Sequence, residues 1–198
     1  MDFLVDIGNV LLPFDFVPSF RRLMPGGSGD AGAVFARLIE RKDDFESGKM
    51  SVDDYVTWAS GQLGFDGSRQ EFIDAWCDIF TVNEPMWQLV ESLKSAGHRL
   101  IIFSNTNGLH APYVLERYPG FSLFDACIFS HEVGAIKPEQ KIFDHALETY
   151  QLVPEETYYI DDLLPNIEAG QQNGFHCHHY SAEAHEALLD DLGQKGVL

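Results

Sequence analysis

A chain of 198 residues is long enough for one well-buried core and for a small domain inserted into it. Apolar residues make up 45% of it, yet no apolar run approaches bilayer length, which excludes a helical membrane span. Lys and Arg number 13 against 31 Asp and Glu, a formal charge of −18 that repels nucleic acid and anionic lipid; an anionic ligand then has to meet local positive charge or a metal ion.

The first residues, Met1 leading within one residue into Phe3-Leu4-Val5, carry neither a basic segment nor a small-residue cleavage site, so a cytoplasmic location is expected. Asp2-Phe3-Leu4-Val5-Asp6-Ile7 reads as a buried strand closed by the turn signal Gly8-Asn9. From about Phe14 to Glu84 the pattern is helical with no convincing strand, so this region reads as an insertion. Inside it, Ser51-Val52-Asp53-Asp54 and Ser68-Arg69-Gln70-Glu71 have capping-box form and start helices. Pro25-Gly26-Gly27-Ser28-Gly29 and Gly64-Phe65-Asp66-Gly67 break them. Short apolar runs then return at Arg99 to Phe103, Ala126 to Phe129, Thr157 to Ile160 and Gly174 to Cys177, each separated from the next by a helical pattern. That alternation predicts an α/β fold with a doubly wound parallel sheet. The core is then residues 1–14 and 85–198, with a helical cap at 15–84. Cys77, Cys127 and Cys177 are odd in number and far apart, and read as buried free thiols.

Ligands of an open parallel sheet bind beyond the carboxyl ends of its strands, so the residues after each strand carry the functional reading. Asp6 follows the first strand, Ser104 the second, and Asp161-Asp162 with Asn166 the fourth, while Lys137 stands in Ile136-Lys137-Pro138-Glu139. Phosphoryl transfer needs an in-line nucleophile, cations against the phosphate charge and donors for its oxygens. A carboxylate at Asp6 serves as nucleophile and cation ligand, Asp161 and Asp162 complete a cluster suited to Mg²⁺, and Ser104 and Lys137 hold the transferring group.

In order and position these residues resemble the four motifs of the haloacid dehalogenase (HAD) superfamily, and the resemblance covers nearly the whole chain. It implies a Rossmann-like core with a helical cap inserted after the first motif, and hydrolysis of a small phosphomonoester through an aspartyl phosphate on Asp6. By the same resemblance Ser104 and Lys137 bind phosphate, Asp161 ligates Mg²⁺ with Asp162 acting directly or through water, and Gly8 offers a backbone carbonyl to the metal. A narrower likeness, to bacterial α-D-glucose-1-phosphate phosphatases, rests on Asp6-Ile7-Gly8-Asn9-Val10, Ser104-Asn105-Thr106-Asn107 with Leu109-His110, and Phe45-Glu46-Ser47-Gly48-Lys49-Met50-Ser51. It implies a sugar 1-phosphate as substrate.

One departure matters. Most phosphatases of the superfamily carry an Asp two residues after the nucleophile as general acid and base, and here that residue is Gly8. Asp15 or a water is the expected stand-in. Asn105 is a candidate phosphate contact through its backbone amide, His110 a candidate substrate contact, and Lys49 a candidate in the cap's specificity loop. Asn166 is expected to brace Asp161 or Lys137. The run His176-Cys177-His178-His179 invites a zinc reading, but consecutive strand residues point to opposite faces and do not converge on one ion. Three rivals stand beside the phosphatase reading, and one of them, a phosphomutase, usually needs the acid and base that Gly8 removes. A haloacid dehalogenase needs no metal and is disfavoured by the doubled carboxylate, and a degenerate domain that binds a phosphorylated ligand without turnover draws its support from Gly8.

Overall fold

The computed structural model describes residues 1–24 and 31–197, so the expected helix break at 25–29 lies outside the described residues. Five parallel strands, β1 (Asp2–Val5), β2 (Arg99–Ser104), β3 (Ala126–Phe129), β4 (Thr157–Asp161) and β5 (His176–His179), form one sheet in the order β3-β2-β1-β4-β5. β1 is central, pairing Val5 with Ile102 on one side and Ile160 on the other. Period-two alternation explains why these runs are apolar throughout. Phe3 and Val5 enter the core on one face of the sheet and Leu4 enters it on the other, as Ile102 and Ile101 do on β2.

Helices cover both faces. On one side α6 (Glu84–Ser95), α7 (His110–Arg117) and α11 (His185–Gln194) contribute Met86, Leu93, Val114 and Leu188 to the core. On the other, α9 (Gln140–Tyr150) and α10 (Leu164–Gln172) contribute Ile142, Phe143 and Ile167. The short α8 (Ser130–Val133) follows β3. Four strands have bounds different from expectation: β1 stops two residues earlier, at Val5, and β2 runs one residue further, to Ser104. β4 runs one residue further, to Asp161. β5 starts two residues later because Gly174 and Phe175 close α10 instead, with Phe175 N donating to Gly170 O at 3.1 Å.

Between β1 and α6 lie α1 (Val17–Leu23), α2 (Ala31–Ile39), α3 (Lys42–Glu46), α4 (Val52–Leu63) and α5 (Arg69–Cys77). They share their own apolar cluster, which includes Phe20, Leu38, Tyr55, Phe72 and Trp76 and takes Leu109 from the sheet-bearing part. Ser68 and Glu71 form a reciprocal capping box. Asp54 instead reaches only the Ser51 hydroxyl, because an Asp is one methylene shorter than a Glu. The chain enters and leaves this helical unit side by side, where Asp15 N donates to Ile79 O and Thr81 N to Pro13 O. Cys77 is buried and Cys127 and Cys177 are half-buried, all as free thiols. No helix among the described residues is long and apolar enough to cross a membrane.

Candidate active site

Strand register brings the sequence-predicted carboxylates together. Asp6 follows Val5 at the end of the central strand, and Asp161 follows Val5's partner Ile160 on β4. Ser104 closes β2 and is buried. Lys137 reaches the same point from the segment after α8. Its backbone is clamped by Asn105, whose Oδ1 accepts from Lys137 N at 2.7 Å and whose Nδ2 donates to Lys137 O at 2.9 Å. The Asn105 side chain therefore holds the lysine.

The Lys137 ammonium is the hub of the site. It donates to Phe103 O at 2.7 Å and to Asp161 Oδ2 at 2.6 Å, and lies 3.1 Å from Asp6 Oδ1. Burial alone would lower its pKa, but Asp161 and Asp6 outweigh burial and raise it, so the ammonium is charged. Burial raises the Asp6 carboxyl; Lys137 opposes that rise and Asp161 adds to it. Asp161 is completely buried, which alone would raise its pKa, yet Lys137 and a ring of donors hold it below the usual range.

That ring decides how the acids divide their roles. Asp161 Oδ1 accepts from Leu163 N and Asn166 Nδ2, both at 2.9 Å, and Oδ2 accepts from Lys137 and from Tyr159 OH at 2.5 Å. All four of its lone-pair positions are engaged. Asp162 is only half-buried, and Asn9 Nδ2 donates to its Oδ2 at 2.9 Å. Asp6 Oδ1 is buried without a hydrogen-bond partner. One oxygen from each of Asp6, Asp161 and Asp162 lies within 4.8 Å of the others. Three carboxylates against one ammonium leave two uncompensated negative charges, a donor set and charge that fit a hard divalent cation such as magnesium. Asp6 and Asp162 present the freer oxygens toward it.

The cluster opens into a cavity of about 350 Å³ between the sheet and the inserted helices. Asp6, Gly8, Asn9, Ser104, Asn105, Lys137 and Asp162 line its floor. Phe14, Phe16, Phe45, Tyr55, Trp76 and Phe80 wall it, with Lys42 and Glu46 from α3.

Three expected residues behave differently. Lys49 is exposed and does not line the cavity; Lys42, at the start of α3, does, because α3 ends at Glu46 and the chain turns away. Asp15 is exposed and also outside the lining, and its Oδ1 accepts from Val17 N at the start of α1. His110 lines the cavity, but both of its ring nitrogens are engaged. Asn107 Oδ1 accepts from Leu109 N and His110 N, so its amide NH₂ faces His110 Nδ1 at 3.2 Å. Nε2 then carries the proton and donates to Trp76 O at 3.3 Å. Burial pushes the pKa of this imidazole down to about 4. In the histidine run, His176 and His179 bond separately to Glu155 O and Asp162 O, and the one carboxylate, thiol or imidazole cluster among the described residues is that of Asp6, Asp161 and Asp162.

Sequence reasoning missed Asn9 and Tyr159. Asn9, in the left-handed region at φ 53, was visible only as a turn residue, although Asn tolerates that conformation better than most and keeps a side-chain donor. Tyr159 was visible only as an apolar strand residue.

A family model described as haloacid dehalogenase-like hydrolase matches residues 3–174. A D-ribitol-5-phosphate phosphatase of Bacteroides thetaiotaomicron is 27% identical over 183 residues, covering 86% of each chain. The structure of a HAD-like family hydrolase from Porphyromonas gingivalis aligns with a TM-score of 0.75 at 28% identity, over 95% of this chain and 97% of that one. A HAD family enzyme from Bacteroides thetaiotaomicron, solved with magnesium and inorganic phosphate, aligns with a TM-score of 0.80 at 22% identity over 91% and 94%. With the family model spanning most of the chain and carrying every strand end of the site, the protein belongs to the haloacid dehalogenase-like hydrolases.

Proposed function

We propose that this hydrolase is a magnesium-dependent phosphatase of small phosphorylated metabolites, with residues 15–84 acting as a cap over the cavity. The observation that carries the reading is the Asp6–Lys137–Asp161 arrangement beside Asp162, a nucleophile held against a fixed cation at the floor of a cavity. Asp6 attacks phosphorus, the alcohol departs, and water then attacks the aspartyl phosphate. Lys137 and the Ser104 hydroxyl stabilise the charge on the phosphoryl oxygens. Asp6, Asp162 and the Gly8 carbonyl are the proposed magnesium ligands, and the metal when bound neutralises charge on the transferring group. Asp161, saturated by four donors, positions Lys137 and the loop at Leu163. Cap closure excludes bulk water from the intermediate.

The relative named for ribitol 5-phosphate supports a sugar or polyol phosphate as substrate class. Gly8 refines the choice. With no carboxyl there, esters whose oxygen leaves with little protonation are favoured, and an anomeric hydroxyl is more acidic than an ordinary sugar alcohol. Sugar 1-phosphates are therefore preferred over the matching 6-phosphates. The test is phosphate release from a panel that includes glucose 1-phosphate, glucose 6-phosphate and nucleotides, with Mg²⁺ and then EDTA. Hydrolysis that requires the metal and vanishes in Asp6→Asn is expected. Metal-independent turnover, or activity retained by Asp6→Asn, would overturn the mechanism, and a faster 6-phosphate would overturn the substrate preference.

A further inference from the structure

The core side of the cavity lacks the usual acid, because residue 8 is glycine. A Cβ built on Gly8 would lie 3.2 Å from Phe14 Cε1, so a side chain there would press on the Phe14 ring, which would have to shift by a few tenths of an ångström. A side chain that donates a proton to the departing oxygen has to come from elsewhere on the cavity wall. The titratable side chains among its described lining residues are Asp6, Lys42, Glu46, Tyr55, His110, Lys137 and Asp162. Asp6, Lys137 and Asp162 are committed to nucleophile, phosphate and metal. His110 is a neutral imidazole with both nitrogens bonded. Tyr55 stacks on Phe45 at 3.9 Å, and burial, with Glu46 adding, raises its phenol far beyond use near neutral pH. Lys42 has half of its side chain in solvent and is the counter-ion of Glu46.

Glu46 remains. Its side chain is 13% exposed and lies in the cavity wall, where Oε2 is buried with no hydrogen-bond partner, 3.0 Å from Lys42 Nζ in an ion pair. The residue is also held against the sheet-bearing part of the molecule. After Glu46 the chain turns through Gly48 at φ +69, where an added Cβ would fall 2.3 Å from His131 O. Only a glycine permits that backbone contact. His131 follows Ser130, whose Oγ is bonded to both Thr106 N and Thr106 O at 3.0 Å, in the loop that begins at Ser104. The turn carrying Glu46 is thus seated against α8, which is itself bonded to the loop that begins at Ser104.

We infer that Glu46 is the general acid and base of this enzyme, delivered from the cap in place of the absent carboxylate at Gly8. The inference rests on the phosphatase reading above. In the first step Asp6 forms a bond to phosphorus, the ester P–O bond breaks with its electron pair going to the alcohol oxygen, and that oxygen takes the Glu46 proton. In the second step the water oxygen forms a bond to phosphorus as the Glu46 carboxylate takes its proton, the Asp6 oxygen–phosphorus bond breaks with its electron pair returning to the Asp6 carboxylate, and the Glu46 carboxyl is restored. Burial, opposed by Lys42, raises the Glu46 pKa above the ordinary carboxylate range, in the direction this role needs. Glu46 narrows the advantage of anomeric phosphates, which widens when it is lost.

The experiment is single-turnover release of the alcohol or phenol, the step that phosphorylates Asp6, by the full chain with Mg²⁺, using p-nitrophenyl, phenyl and n-butyl phosphate, in wild type, Glu46→Gln and Glu46→Asp. Loss of a general acid costs typically about 10²- to 10⁴-fold, so Glu46→Gln should lose that much on the alkyl ester. It should lose less than about tenfold on p-nitrophenyl phosphate, whose leaving group needs little protonation. Glu46→Asp keeps a carboxyl and should recover part of the alkyl activity. A Glu46→Gln protein impaired equally on all three esters, or on none, overturns the inference while leaving the phosphatase reading intact. Wild-type protein that releases phosphate from no ester overturns both.

Discussion

The sharpest distinction at the level of single residues is between Asp161 and Asp162, adjacent in sequence and unlike in circumstance. Asp161 is encircled by Lys137, Tyr159, Asn166 and the Leu163 amide, whereas Asp162 is half-buried and touched by Asn9. Asp162→Asn is therefore expected to weaken Mg²⁺ binding more than Asp161→Asn does. Asp161→Asn should weaken the fold more, because it strips a buried ammonium of a partner; breaking such a pair costs about 3–5 kcal/mol. Magnesium titration by calorimetry and urea denaturation in EDTA measure the two effects separately. The opposite ranking in both would make Asp161 the metal ligand and Asp162 the brace.

Among the elements, α7 opens at a buried histidine that is a structural device. Asn107 caps the helix start and fixes the His110 tautomer, and the imidazole lies between Trp76 and Phe80. Its pKa falls from an ordinary 6.5 to about 4 because burial disfavours the charged form. The unfolded chain then binds a proton that the folded chain does not between those two values. Stability from this group is complete above pH 6.5, declines as pH falls toward 4, and is constant below. A shift of that size corresponds to at most about 3 kcal/mol. The expected result is that wild type loses more stability than His110→Gln between pH 7.5 and pH 4.5 in urea titrations; equal losses would show that His110 is protonated in the folded state. The strands were legible as elements because each is a short apolar run between helical patterns. Their ends were less so. β5 begins later than the apolar pattern implied because Gly174 and Phe175 serve the close of α10, a demand of helix termination that alternation does not register. In the same way Lys49 and Lys42 are equivalent polar residues in sequence, and only the end of α3 at Glu46 decides which of them meets the cavity.

For the whole molecule, a formal charge of −18 surrounds a site built to receive an anion. At low ionic strength that field repels a phosphomonoester before Lys137 can attract it, and salt screens charges separated by more than about 10 Å at 0.1 M while leaving contacts inside the cavity nearly intact. kcat/KM for a sugar phosphate at saturating Mg²⁺ is therefore expected to rise a few-fold between 10 and 150 mM NaCl, with kcat little changed. A fall with salt would mean that the local field of Lys42, Lys137 and the metal governs encounter instead. The entry and exit of the helical unit lie side by side at Pro13–Asp15 and Ile79–Thr81, so two short crossings carry all of the covalent linkage between the cavity's two walls.

Sequence alone determined the parallel sheet, and it pointed to an insertion after the first strand and to the carboxylates and lysine proposed for the site. Each of these is a local pattern: alternation of apolar runs with helical periods, and chemistry-bearing residues immediately after a strand. Tertiary structure decided what depends on residues distant in the chain. It set Lys137 against Asp161 across 24 positions, brought Asn9 onto Asp162 across 153 positions, and placed Glu46 in the lining of the same cavity as Asp6. Burial and hydrogen-bond saturation are sums over such neighbours, and a sequence pattern holds no term for them.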